Sequence, residues 1–80
     1  MIHFKRAKAL ASGATSPMNK GVIITNNNAS ASIVTLTALD PTGNSTTITY
    51  MMPANTTVVL PLYIRSYTAS GGTITVVELN

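Results

Sequence analysis

Eighty residues, 45% of them apolar and 9% charged, with no cysteine, describe one small domain that has no disulfide framework. A single histidine and two acids are too few ligands for a zinc or calcium site, so no metal or other cofactor is expected. A chain of this length buries only about 60 to 65% of the surface its unfolded form exposes, so oligomerisation or docking on a larger body is the support left to it.

The charge is unevenly placed. Lys5, Arg6, Lys8 and Lys20 lie in the first twenty residues, which hold no acid, whereas the rest contains only Arg65, Asp40 and Glu78. Residues 1–20 show no sustained period, contain the turn-rich stretch SGATSP, and are expected to form an extended basic arm. A short helix across residues 4–11 is the competing expectation, since Ala, Lys, Arg and Leu favour helix, but in isolation it is too short to persist. The arm lacks the continuous apolar run of an export signal, so the mature protein is expected to begin at Met1. No run in the chain reaches the ~18 to 20 apolar residues of a membrane-spanning helix.

Residues 21–80 read as a β-body. GVIIT, SIVTLTAL, STTITYMM, TTVVLPLYI and GTITVVEL are separated by the turn-forming stretches NNNAS, DPTGN, PAN and SGG. The expected fold is all-β: a small antiparallel sandwich or barrel of five to seven strands.

Within DPTGN, Asp40 opens a type I turn, Pro41 supplies its fixed φ, and Gly43 takes the left-handed position of a three-residue hairpin loop. That turn pairs Asp40 with Asn44 and sets the register below it. Leu36 then faces Ile48, Val34 faces Tyr50 and Ala38 faces Thr46 on an apolar side. Thr37 faces Thr47 and Thr35 faces Thr49 on the other. Cross-strand threonine pairs contribute about 0.2 to 1 kcal/mol each and present methyls and hydroxyls without charge. Such a face is wettable yet cheap to desolvate.

SGGT suits a two-residue turn with Gly71 and Gly72 at its centre. The hairpin it predicts puts Tyr67 opposite Val76 and Arg65 opposite Glu78. Pro61 cannot donate to a ladder, so VVLPLYI is an edge strand, a bulge, or two strands meeting at a bend. Val59, Tyr63, Val77 and Leu79 alternate against an expected core series of Val58, Leu60, Leu62, Ile64, Ile74 and Val76. Strands apolar on both faces are buried on both sides. A second subunit supplies that burial, or a twist or bulge turns these residues into the protein's own core. The first alternative makes Val59, Tyr63, Arg65, Val77, Glu78 and Leu79 a subunit interface.

The remaining side chains offer little chemistry. His3 stands in the arm with no second histidine and no acid near it, and Asp40 is accounted for by its turn. There is no carboxylate pair, no nucleophile-base set and no glycine-rich phosphate loop, so no enzyme and no small-molecule substrate are expected. Three Asn-x-Ser/Thr matches, at Asn28, Asn44 and Asn55, are what this composition produces by chance. HFKRAK attracts phosphate, but nucleic-acid-binding sheets interleave aromatics with basic residues, and Tyr50, Tyr63 and Tyr67 have only Arg65 beside them. An acidic protein surface is the better match to the arm, with Phe4 and Leu10 lodging in apolar pockets of a neighbour while Lys5, Arg6 and Lys8 face its charges.

A Thr/Asn-rich, cysteine-free β-body ending in PANTTVVLPLYIRSYTASGGTITVVEL resembles the small virion structural proteins of tailed bacteriophages, including capsid decoration (cement) proteins and spike-base or collar components. The resemblance covers roughly residues 45–80 and rests on composition as much as on position. It implies a non-enzymatic protein made in the host cytoplasm and placed in the virion. By analogy it would be a symmetric oligomer, a trimer, bound to the major capsid protein or another virion protein. A tail, collar or spike-base component, a carbohydrate-binding adhesive module and a nucleic-acid-binding accessory protein are the alternative expectations.

Overall fold

The computed structural model describes residues 5–69 and 74–80. Among them the chain forms seven strands and no helix: β1 (Ala7–Leu10), β2 (Gly21–Asn26), β3 (Ser32–Leu39), β4 (Ser45–Met52), β5 (Thr56–Leu60), β6 (Ile64–Ala69) and β7 (Ile74–Leu79). They form two antiparallel sheets, one ordered β1-β7-β2-β5 and the other β4-β3-β6. The arrangement is an open, sandwich-like fold. Each sheet sends one set of alternate residues into a shared core: Leu10, Val22, Ile24 and Val76 from the first, Val34, Leu36, Ala38, Met52, Ile64 and Tyr67 from the second.

The β3–β4 hairpin has the register that its turn chemistry dictates. Leu36 lies opposite Ile48, Thr37 opposite Thr47, Val34 opposite Tyr50, Ala38 opposite Thr46 and Thr35 opposite Thr49. The Asp40 amide donates to the Asn44 carbonyl at 2.8 Å, and the Gly43 amide donates to the Asp40 carbonyl at 2.9 Å. Gly43 has φ 88, the left-handed conformation in which an L side chain is disfavoured. Pro41 stands two positions before it, on the exposed tip.

Three expectations are corrected. First, residues 5–20 do not extend away from the body. Ala7–Leu10 is a strand, not a helix, paired along β7 with Leu10 opposite Val76 and Lys8 opposite Glu78. The ladder continues through Arg6 and Asn80, whose amides each donate to the other's carbonyl at 2.7 and 2.8 Å. Leu10, expected in a neighbour's pocket, is 6% exposed in the protein's own core.

Second, β6 and β7 are not a hairpin: they lie in different sheets. The reason is edge occupancy. β7 has β1 on one side and β2 on the other. β6 has β3 on one side, and residues 13–19 run along the other. Neither strand has an edge left for the other. Gly71 and Gly72, the expected turn between them, lie outside the described residues. Arg65 therefore does not face Glu78. It stands at the irregularity where Thr37 pairs with Ser66 but Ala38 pairs with Ile64.

Third, Leu62 is not a core residue, being 38% exposed. Pro61 ends β5 at Leu60, the chain crosses from one sheet to the other before Ile64, and the strand alternation does not carry through the crossing.

Two buried asparagines close the sandwich where backbone pairing stops. Asn19 acts as a substitute strand residue beside Ile64. Its Oδ1 accepts from the Ile64 amide at 3.1 Å and its Nδ2 donates to the Ile64 carbonyl at 2.9 Å and to Ser16 Oγ at 3.2 Å. The Ser16 amide donates to the Arg65 carbonyl at 2.7 Å and the Gly13 amide to the Tyr67 carbonyl at 2.9 Å. The Tyr63 hydroxyl donates to the Ser16 carbonyl. At another corner Asn26, fully buried, shares its Nδ2 among the Ser30, Met52 and Pro53 carbonyls at 3.1, 3.2 and 3.2 Å, and its Oδ1 accepts from the Asn28 amide at 3.0 Å.

Replacing Gly43 by Val is expected to destabilise the protein by about 1 to 2 kcal/mol, whereas Gly43→Asn costs less, because Asn tolerates the left-handed region. Space is not the reason, since an added Cβ meets nothing within 4 Å. Denaturant melts of the two variants separate the conformational effect from packing. Asn19→Leu leaves both backbone groups of Ile64 without their partner, a cost of about 1 to 3 kcal/mol per group. Its signature is fast hydrogen exchange at the Ile64 amide.

Candidate interaction surfaces

The fold presents three surfaces of different character. The outer face of the three-stranded sheet is the threonine face that the alternation predicts. Thr35, Thr37, Thr47 and Thr49 form its centre, and β6 adds Thr68 opposite Thr35 and Ser66 opposite Thr37. Ile33 and Met51, directly opposite one another at one end of this face, are 42% and 61% exposed. The side chains of this face carry no formal charge from Ile33 through Thr37. Removing it from water costs hydroxyl solvation but no ion desolvation.

On the outer face of the four-stranded sheet, Ala9, Val77, Ile23 and Val59 form one row across all four strands. Beside it runs a polar row of Thr75, Thr25 and Thr57, with Thr25 Oγ1 and Thr57 Oγ1 3.4 Å apart. Val59 is 51% exposed, and Val77 and Ile23 are half-buried.

The third surface is a basic rim. Lys5, Arg6 and Lys8 are exposed on and beside β1. Lys20, exposed and twelve or more positions away in the chain, joins them because its amide donates to the Leu79 carbonyl at 2.7 Å while the Lys5 and Arg6 amides reach the Asn80 carbonyl. Long-range pairing thus gathers four of the five cations of the sequence at one end of β7. Unlike residues expected to contact a partner through a free arm, these are held on a folded edge. Phe4, the aromatic member of the expected set, lies outside the described residues.

The six residues expected to form one subunit interface do not share a surface. Val59 and Val77 share the apolar row. Leu79 lies on the same sheet face two residues from Val77, but it is 6% exposed, so its burial comes from its own chain. Glu78 points to the opposite face and is 7% exposed, flanked across the ladders by Lys8 and Val22. Tyr63 is half-buried and tied to Ser16, and Arg65 is exposed within β6, in the other sheet. The buried asparagines and the Lys8–Glu78 placement were missed by sequence reasoning. Asn reads first as a turn residue, and nothing local marks Ala7–Leu10 as the partner of β7.

Among the described residues no group of three or more His, Cys, Asp or Glu side chains is placed to hold a metal ion. No helix among them is long and apolar enough to cross a membrane. No protein-family model, curated protein or solved structure matches this chain.

At the hairpin tip Asp40 sits in a ring of hydrogen-bond donors. Asp40 Oδ1 accepts from Thr42 Oγ1 at 2.7 Å, the Thr42 amide at 2.9 Å and the Asn44 amide at 2.9 Å. These donors, the Thr42 hydroxyl foremost, hold the carboxyl below its usual value of 3.8. A depressed folded pKa stabilises the fold above the unfolded value, and that contribution is lost as pH falls through the folded pKa. Melting temperature is therefore expected to drop on acidification below 3.8, and Asp40→Asn to flatten that drop. A variant whose acid limb superimposes on the wild type removes Asp40 from the account.

Proposed function

We propose that this chain is a non-enzymatic structural protein of a phage virion, a capsid decoration protein that binds and stabilises an assembled shell. The observation that carries the proposal is the threonine face with its Ile33/Met51 end, which is uncharged from Ile33 through Thr37 and backed by a hydrogen-bonded sheet. A face of this kind suits adhesion to a repeated protein surface, where many weak copies of one contact add up. The resemblance of residues 45–80 to small virion proteins supplies the identity of that surface.

The basic rim acts as a second contact. Lys5, Arg6, Lys8 and Lys20 speed the encounter with an acidic shell more than they tighten the final complex. Binding of the folded form to a shell at a hundredfold excess over Kd would stabilise the chain by about 2.7 kcal/mol. That is a large addition for a small domain without cross-links.

Mass spectrometry of purified particles tests the proposal directly. The chain is expected in a copy number matching shell symmetry. A copy number matching a tail or collar relocates it, and absence from particles overturns it. Ile33→Asp with Met51→Asp is expected to lower particle occupancy at least tenfold, since two charges must then be desolvated, while leaving the isolated protein folded. Unchanged occupancy would move the contact away from this face.

A further inference from the structure

We infer that the free edge of β4 is a self-association site, at which a second copy of this chain pairs antiparallel to extend the three-stranded sheet into a six-stranded one. The inference rests on edge geometry and does not depend on the virion assignment.

Three of the sheet edges carry a feature that discourages pairing. The outer edge of β6 is covered by residues 13–19 through the Gly13, Ser16 and Asn19 hydrogen bonds. β1 is four residues long and carries Lys8, with Lys5 and Arg6 just before it. β5 is five residues long and ends against Pro61. β4 has none of these. It is eight residues long, uncharged, without proline, and paired with β3 in an unbroken register from Ser45 to Met52. No described strand lies on its other side.

Hydrogen-bond parity selects the partner. The Asp40–Asn44 bond fixes which β4 residues turn their backbone groups toward β3: Thr46, Ile48, Tyr50 and Met52. The amides and carbonyls of Ser45, Thr47, Thr49 and Met51 therefore face outward. In a twofold pairing centred on Ile48, Thr47 meets the partner's Thr49 and Ser45 meets the partner's Met51. All four outward residues of each copy then find an outward residue opposite. The inner and outer faces of the two sheets stay continuous, because opposite residues point to the same side. Ile48 meets the partner's Ile48, and Tyr50 meets the partner's Thr46. Ile48 and Tyr50 are half-buried against the core, and a second copy would cover their open side. No charge is opposed to a like charge, so nothing in the strand resists the pairing. A pairing centred one residue further on would set Ser45 against Pro53, which has no amide, so the Ile48 centre is preferred.

A single edge contact is smaller than the roughly 1,200 to 2,000 Å² of a standard stable interface, so the dimer is concentration-dependent. It is also strictly twofold, because a self-paired edge cannot close a ring of three.

Sedimentation equilibrium of the full chain tests this with three variants. Thr47→Lys with Thr49→Lys sets ammonium groups opposite one another across the edge and is expected to raise the dimer Kd roughly tenfold or more. Thr47→Glu with Thr49→Lys is expected to restore the dimer and make it salt-sensitive, because each new carboxylate faces the partner's new ammonium only in this register. Thr47→Pro removes one outward amide and no bond to β3, and is expected to give a folded monomer by circular dichroism. A wild-type chain that stays monomeric at every concentration overturns the inference. So does a dimer or trimer indifferent to all three variants. Because Thr47 and Thr49 lie on the threonine face, the variants are read by sedimentation alone. Sedimentation and particle occupancy of the wild-type chain are independent measurements, so a missing dimer and a missing place in the particle are distinguishable.

Discussion

The double hydrogen bond between the Asn19 side chain and the backbone of Ile64 is the contact on which the rest of the sandwich depends. A primary amide has the donor and acceptor of a peptide unit, so a single side chain stands in for a strand at the β6 edge. Its consequences run in both directions along the chain. Toward the N-terminus it lays residues 13–19 along β6 and positions Ala7–Leu10 to pair with β7, which puts Leu10 into the core. Toward the C-terminus it fixes where β6 begins after Pro61. An eighty-residue chain without cysteine gains a fourth sheet strand and a covered edge from one buried residue.

Asn26 performs the corresponding task at another corner. It binds carbonyls at Ser30, Met52 and Pro53, so the ends of β2 and β4 are held by one side chain where the chain leaves both sheets. Asn55, at φ 53, donates its amide to the Asn28 carbonyl at 3.1 Å and joins the same two loops. Breaking a buried amide of this kind leaves several backbone groups unsatisfied, and each costs more than the bond contributed. A small core held this way is sensitive to few positions.

What the sequence revealed follows from how local each constraint is. The β3–β4 register was legible because the turn residues at Asp40, Pro41 and Gly43 and the strand alternation are neighbours in the chain and give the same answer. The all-β class was legible for the same reason, repeated over several short apolar runs. The β6–β7 hairpin was misread because turn residues report only what lies next to them in the chain, and only the occupancy of both strands' edges decides which strands pair. That occupancy depends on β1 and residues 13–19, which carry no β signal of their own. Four residues, Ala7–Leu10, are too few for a period to show, and their partner lies some seventy positions away. The basic residues read correctly as a cluster but wrongly as an arm, since their charge is visible in the sequence and their anchorage is not.

Charge placement and edge protection are two parts of one economy in this protein. With 9% charged residues it cannot guard every edge with lysine. The cations it has are concentrated on and around β1, the short strand Ala7–Leu10, where they keep one end of the four-stranded sheet solvated. The β6 edge is guarded without charge, by the chain laid over it, and β5 by brevity and Pro61. Among the described residues no comparable device remains for β4. Adding one would have been easy, because the side chains of Thr47 and Thr49 already point to solvent, and a lysine at either would sit on the outer face without touching the core. The absence of charge on the longest open edge, in a molecule that protects its other edges by three different means, is what pairing at that edge requires.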